Sequence, residues 1–232
     1  MNFNPFEPVS DYPKMLNKLA FYAFWASLLL VTLTRHHIWR LEDALRKLDV
    51  GLPIADLSLP VGSIAVAFGW AFVSRVFKFH DRISDVLRIR LNFDVEAILL
   101  PLCAASGGLA KAGLVREITA RRHPLMRETF YKYASSGGKA VIDSHYITMA
   151  LDQWASYWII LEAATLAGLT AAAFLFFGPA NVAALLLFGV LGAMLLLQLI
   201  RRQCAEYALQ EVELILEDPE RCAAVGGQFR AL

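Results

Sequence analysis

Glu162 is the only charged side chain between Trp154 and Phe177. A carboxylate in so apolar a segment is costly unless it faces protein or a water-filled cavity, so it is a candidate pore-lining or intramembrane polar group. The competing reading is a glutamate hydrogen-bonded to a neighbouring helix.

Two basic groups could do a different chemistry, the capture of phosphate. Arg75, Lys78 and Arg82 stand at i, i+3 and i+7, within about 60° on a helix turning 100° per residue. They would form one stripe that either touches lipid phosphates or collects an anionic ligand. Arg116, Arg121, Arg122 and Arg127 form the second group, with Lys132 and Lys139 further on and His123-Pro124 at a helix break. Arginine forks suit phosphate, and helix starts offer free N–H groups to anions. The aromatic rings in "RETFYKY", Arg127 to Tyr133, suit stacking on nucleotide bases or packing in a core. "SSGGKA" fails the phosphate-loop pattern, because Tyr133 takes the first glycine position and Ala140 follows the lysine.

Catalytic signals are weak. His80-Asp81 and Asp143-x-His145 are the His/acid clusters, and neither has a nucleophile at a fixed offset. Cys103, Cys204 and Cys222 lie far apart, without metal or disulfide spacing. The expectation is a protein with no catalytic residue, metal or cofactor.

The elements that must position these residues are apolar helices. The chain of 232 residues is 57% apolar and 19% charged, with mean hydropathy +0.49, more apolar and less charged than a soluble domain. The net charge of +1 is uninformative overall, so its distribution decides. Leu19 to Thr34, Leu57 to Val73, Trp154 to Phe177 and Val182 to Ile200 are the four long apolar runs. A spanning helix needs roughly 20 apolar residues. The last two runs meet this, and snorkelling at the ends lets the first two do so. No cleavage pattern follows the first run, which reads as an uncleaved anchor.

Lys78 to Ser156 holds eleven basic residues against eight acids, whereas residues 35 to 56 balance at four each. By the positive-inside rule both termini are cytoplasmic, and residues 78–153 form a cytoplasmic domain between two hairpins, 1–77 and 154–200, with an amphipathic tail at 201–232. The fold class expected is an all-α membrane protein with four transmembrane helices. From Arg75 to Phe93 the apolar spacing is helical, so the second span is expected to continue unbroken into the cytosol. "VIDSHYITMALDQWASYW" is expected to run straight into the third span, with Trp154 and Trp158 in an interface belt. Breaks are expected at Pro101, Gly107-Gly108, Pro124 and Ser135 to Gly138. Residues 38 to 48 read as an amphipathic surface helix. Ala205, Leu209, Val212 and Leu216 form the seam of a short coiled coil or of a helix packed on its own domain. Small-residue ridges at Ala164, Gly168 and Ala172, and at Gly189 and Ala193, predict close helix contacts within or between copies.

"DRISDVLRIRLNFDVEAILL", Asp81 to Leu100, and "MRETFYKYASSGGKAVIDSHYITMALDQW", Met126 to Trp154, resemble the small transmembrane effectors of bacterial anti-phage operons, most closely the membrane effectors of Hailong systems. That resemblance implies a homotetrameric, funnel-like channel in the bacterial inner membrane. It implies gating by a single-stranded oligodeoxyadenylate that a partner nucleotidyltransferase makes, with membrane disruption arresting the infected cell. The alternative is a non-conducting scaffold that recruits a soluble partner through its cytoplasmic helices.

Overall fold

The computed structural model describes residues 4–51, 58–108, 113–134 and 140–232. Lys139 and the Ser135 to Gly138 stretch lie outside them. Among the described residues, the regular structure is helical apart from a two-residue antiparallel pairing of Val50–Gly51 with Ser58–Leu59. It divides into two compact units: Met1–His80 with Trp154–Ile200, and Asp81–Gln153 with Arg201–Leu232.

In the first unit, α1 (Tyr12–Thr34) starts where the Asp11 carboxylate accepts the Lys14 amide at 2.8 Å, with Pro13 in the first turn. Its buried stripe is Met15, Leu19, Ala23, Ser27 and Thr34, while Trp25, Leu29 and Leu33 are exposed. A 3-10 turn (Arg35–His37) leads to α2 (Trp39–Arg46). Of the amphipathic face expected there, Leu45 is buried and Leu48 is exposed. Arg35 is 3.1 Å from Asp49, which also accepts the Gly62 amide at 3.2 Å. Gly62 is a true close approach, since a Cβ there would come within 2.6 Å of the Leu45 carbonyl.

α3 (Val61–Phe77) buries Gly62, Ser63, Ala67 and Ser74, while Phe68, Phe72, Val76 and Phe77 are exposed. Small and hydroxyl groups inward with large apolar groups outward is the reverse of a helix in water and fits close packing in lipid. α3 packs on α1, where Phe24 meets Phe68 edge-on at 6.5 Å. Among the described residues, three helices are long and apolar enough to cross a membrane: α1 with its adjoining turn, α10 (Ser144–Phe177) and α11 (Ala180–Leu216). The bent pair of α3 and α4 (Phe79–Leu87) makes a fourth if counted as one span. These long apolar helices make this a membrane-embedded protein.

The second span does not continue unbroken. α3 ends at Phe77, Lys78 is left-handed (φ 48°, ψ 59°), and a second left-handed residue, Arg88 (φ 54°), closes α4. Non-glycine residues pay roughly 1–2 kcal/mol for that conformation, so something must hold the break.

In the second unit, α5 (Ile89–Phe93) passes through a π-helical turn (Asp94–Leu99) into α6 (Leu100–Ala105). α7 (Leu114–Ala120) and α8 (Arg122–Leu125) precede a second π turn (Met126–Tyr131) and α9 (Lys132–Ala134). Pro101 does not break the chain, whereas the break expected at Pro124 falls three residues earlier, at Arg121 between α7 and α8. Pro101 sits in the first turn of α6 and Pro124 within α8, and an early helical proline lacks only an N–H that would have no partner there. Gly107 (φ 78°) does follow the end of α6. The core gathers Leu99, Leu102, Ile118, Met126, Ile215 and Val225.

α10 begins where Asp143 accepts the His145 amide at 2.7 Å and runs unbroken through Trp154. The face of α11 buried beyond Arg202 is Cys204, Ala208, Glu211, Val212 and Ile215, with Leu209 43% exposed. Of the seam expected from Ala205, Leu209, Val212 and Leu216, Val212 is buried, but the centre of the buried face is rotated by one residue towards Cys204, Ala208, Glu211 and Ile215, where α11 packs on its own unit. α12 (Pro219–Arg230) is capped by Asp218 through the Arg221 amide at 2.9 Å.

Candidate functional site: a carboxylate across a helix break

Glu162, on α10, is 2% exposed. Its Oε2 accepts the Ser74 hydroxyl at 2.6 Å, and its Oε1 accepts the His80 backbone N–H at 3.0 Å. The His80 ring Nδ1 lies 3.2 Å from the same Oε1. Ser74 comes four residues before the left-handed Lys78 and His80 two after it, so one carboxylate grips both sides of the break.

The geometry follows from helix ends. Interrupting the helix at Lys78 leaves the first N–H groups of α4 without intrahelical partners. A carboxylate at a helix N-terminus satisfies them and suits the positive end of the helix dipole. Here it comes from another helix, not from the preceding residues. The His80 ring is 1% exposed and sits 5.8 Å from the ring of Trp158. Trp158, expected in an interface belt, is itself buried at 5% and stacks on Trp154. The His80 and Trp158 rings thus pack side by side within the protein.

This arrangement positions backbone; it is not a nucleophile's relay. Ser74 gives its proton to the carboxylate and not to the imidazole, whereas nucleophilic serine chemistry needs the serine on the base. Among the described residues, no group of three His, Cys, Asp or Glu side chains is placed to hold a metal ion. Sequence reasoning found Glu162 from its isolated charge but missed Ser74, and saw His80 only beside Asp81. The available signal was a serine and a histidine six apart at the end of an apolar run.

The predicted basic residues are scattered. Arg75 and Lys78 are exposed at the end of α3, and the Lys78 ammonium lies 5.3 Å from the Tyr12 ring centroid. Arg82 is exposed on α4. The left-handed turn at Lys78 removes the single continuous helix on which these three were expected to form a stripe. Arg116 and Arg121 are exposed on α7 and at its end.

Arg122 is held by Asp94 at 3.3 Å, and Arg127 pairs with Glu128 at 3.0 Å. Lys132 lies over Tyr133 at 5.5 Å. Burial pushes the Asp94 carboxyl up from its ordinary value, with Arg122 and Arg90 pulling against that rise. Phe130 and Tyr133 are buried, so these rings pack in the core and do not offer a stacking surface. His145 is exposed at the start of α10.

One family model matches the chain, that of the YmfE protein family, over residues 11–225. No curated protein and no solved structure matches it. The match covers nearly the whole chain, from the cap of α1 to the middle of α12, and so takes in both units and the Ser74–His80–Glu162 centre: the chain belongs to the YmfE protein family.

Proposed function

We propose that this protein is an oligomeric membrane effector that changes the permeability of the bilayer when its cytoplasmic unit receives an anionic signal. In this reading the chain crosses the bacterial inner membrane four times as two hairpins, with both termini cytoplasmic. The effector assembles as a homo-oligomer, a tetramer by resemblance, and acts in anti-phage defence by arresting the infected cell. The signal is a nucleotide or single-stranded DNA oligomer made by a partner nucleotidyltransferase, received on exposed arginines such as Arg116 and Arg121.

The observation that carries this reading is the carboxylate across the break. The strained Lys78 turn lies where the chain passes from the apolar unit to the charged one, and the Ser74 hydroxyl and the His80 backbone N–H on its two sides both donate to Glu162. A held break at that position is a natural gate, because one buried carboxylate ties its two sides together. Room for further copies supports the oligomer. Nothing approaches a Cβ built at Gly189 or Gly192 within 4 Å, and Phe188 and Leu191 beside them are exposed.

The test is ion flux from liposomes carrying the purified protein, with and without oligodeoxyadenylate or nucleotide. Ligand-dependent flux is expected, and absence of flux under every ligand condition overturns the reading. Arg116→Ala with Arg121→Ala should weaken oligonucleotide binding and flatten its salt dependence. Arg122 is unsuited to this test because Asp94 already holds it.

A second reading, the non-conducting scaffold, is favoured by one feature. A groove of about 700 Å³ in the second unit is lined by apolar groups such as Leu209, Val212 and Leu216 together with Gln210, Glu213 and Glu217, a mixed lining that suits an apolar side chain flanked by basic ones. A stoichiometric soluble partner retained at high salt, together with no flux, would favour it.

A further inference from the structure

α4 is packed inside out. The residues it turns into the protein are His80 and Ser84, 1% and 3% exposed, whereas Val86 and Leu87 are 82% and 57% exposed. At about 100° per residue, Phe79, Ile83, Val86 and Leu87 share one face, and His80 and Ser84 lie beside it. That apolar face is half-buried at Phe79 and Ile83 and open at its far end. A helix in water does the reverse, burying its apolar stripe and showing its polar one.

The chain leaves α3 only one residue before α4 begins, and α3 has the same reversed pattern. The charges around the open face are mainly basic: Lys78, Arg82 and Arg88 are exposed, with Asp85 the exposed acid of the helix. Left-handed residues at both ends, Lys78 and Arg88, set α4 off as a separate short segment. Short, reversed, basic-flanked and joined to a membrane helix are the properties of a helix lying in the membrane surface.

We propose that α4 is an interfacial helix, with Val86 and Leu87 in the acyl boundary of the bilayer and Arg82 and Arg88 at the lipid phosphates. Its occupant is lipid. The proposal rests on α3 being in the membrane and not on the channel reading, so it stands or falls separately from ion flux. It moves the start of the water-exposed domain from residue 78 to beyond Arg88.

The full chain is reconstituted in vesicles of phosphatidylcholine and phosphatidylglycerol, carrying a nitroxide at Val86→Cys or Leu87→Cys. Cys222→Ser is the background, since Cys103 and Cys204 are buried. Glu220→Cys, exposed on α12, is the water reference. Substitution at Val86 leaves packing intact because so little of it is covered. Collisions with oxygen are expected to exceed those with a water-soluble nickel chelate at residues 86 and 87, with the order reversed at 220. The depth should fall in the roughly 5–10 Å range of interfacial helices. Nickel accessibility equal to that at 220 would place α4 in water and overturn the proposal. Protection from both reagents, with spectral broadening that disappears on dilution with unlabelled chain, would mean that a second copy covers the face, and would overturn it equally.

Discussion

Removing the Glu162 carboxylate is the sharpest perturbation the structure offers. Glu162→Ala strands the Ser74 hydroxyl and the His80 amide, both in a fully buried setting. Each buried donor left without a partner costs about 1–3 kcal/mol, and the cavity adds to this, so a loss of about 3–5 kcal/mol is expected. Glu162→Gln keeps the shape and one acceptor oxygen but loses the charge assistance, which makes such bonds roughly twice as strong as neutral ones, and should cost about 1–2 kcal/mol. The assay is reversible unfolding in mixed micelles by titration with denaturing detergent, in parallel with amide exchange at His80. The alanine variant should be the least stable, and the His80 amide should exchange faster in both variants. A double-mutant cycle of Ser74→Ala with Glu162→Gln should show coupling of at least about 0.5 kcal/mol, since contacting residues are not additive. Alanine at 162 with unchanged stability, or strict additivity in the cycle, would refute the claim that this carboxylate holds the break.

Three further outcomes follow from the same geometry. Lys78→Gly should raise stability by about 1 kcal/mol because glycine enters the left-handed region freely, whereas Lys78→Ala should give no gain; the same micelle titration reads both. Asp94 is held above its ordinary carboxylate value in the folded state, so its contribution is greatest at low pH and declines as pH rises through the carboxylate range. Arg122→Met removes the main opposing charge, and should steepen that decline, extend it to higher pH and cost about 2 kcal/mol at neutral pH. Melting at pH 4 and pH 7 checks this, and adding Asp94→Asn should remove the Asp94 share of the slope, leaving the decline set by Glu211, whose carboxyl burial pushes up to about 7. Finally, a Cβ at Gly226 would meet the Ser106 carbonyl oxygen at 2.5 Å, while none is crowded at Gly227. Gly226→Ala should therefore lower stability by about 1–3 kcal/mol, and Gly227→Ala should leave it unchanged or slightly higher.

The apolar helices could be read from the sequence because their composition leaves few alternatives, and Glu162 because an isolated charge in such a run is conspicuous. The break at Lys78 could not. No glycine or proline marks it, and the apolar spacing from Phe79 onward continues that of a helix. What holds it open is a side chain more than eighty residues away. The rotated face of α11 was hidden for a related reason: Leu209 and Leu216 look like a seam by type, yet the unit buries Glu211 and Ala208 instead. The two π turns, at Asp94–Leu99 and Met126–Tyr131, shift the helical phase by one residue. Periodicity counted across them would therefore misassign faces, whereas core packing, the preferred reading of Phe130 and Tyr133 from residue type, is what the structure has. For the basic groups, spacing identified the charges but could not tell that Asp94 already holds Arg122.

Arg221 gives the C-terminal segment a role that its modest size conceals. From α12 its guanidinium donates to the carbonyls of Leu214 and Ile215, each at 3.1 Å, closing the last turn of a helix that begins at Ala180. A chain cut after Asp218 would lose this closure together with Val225 and Phe229, both part of the core. α12 is thus a fastening, and affinity tags or reporter fusions should leave it whole.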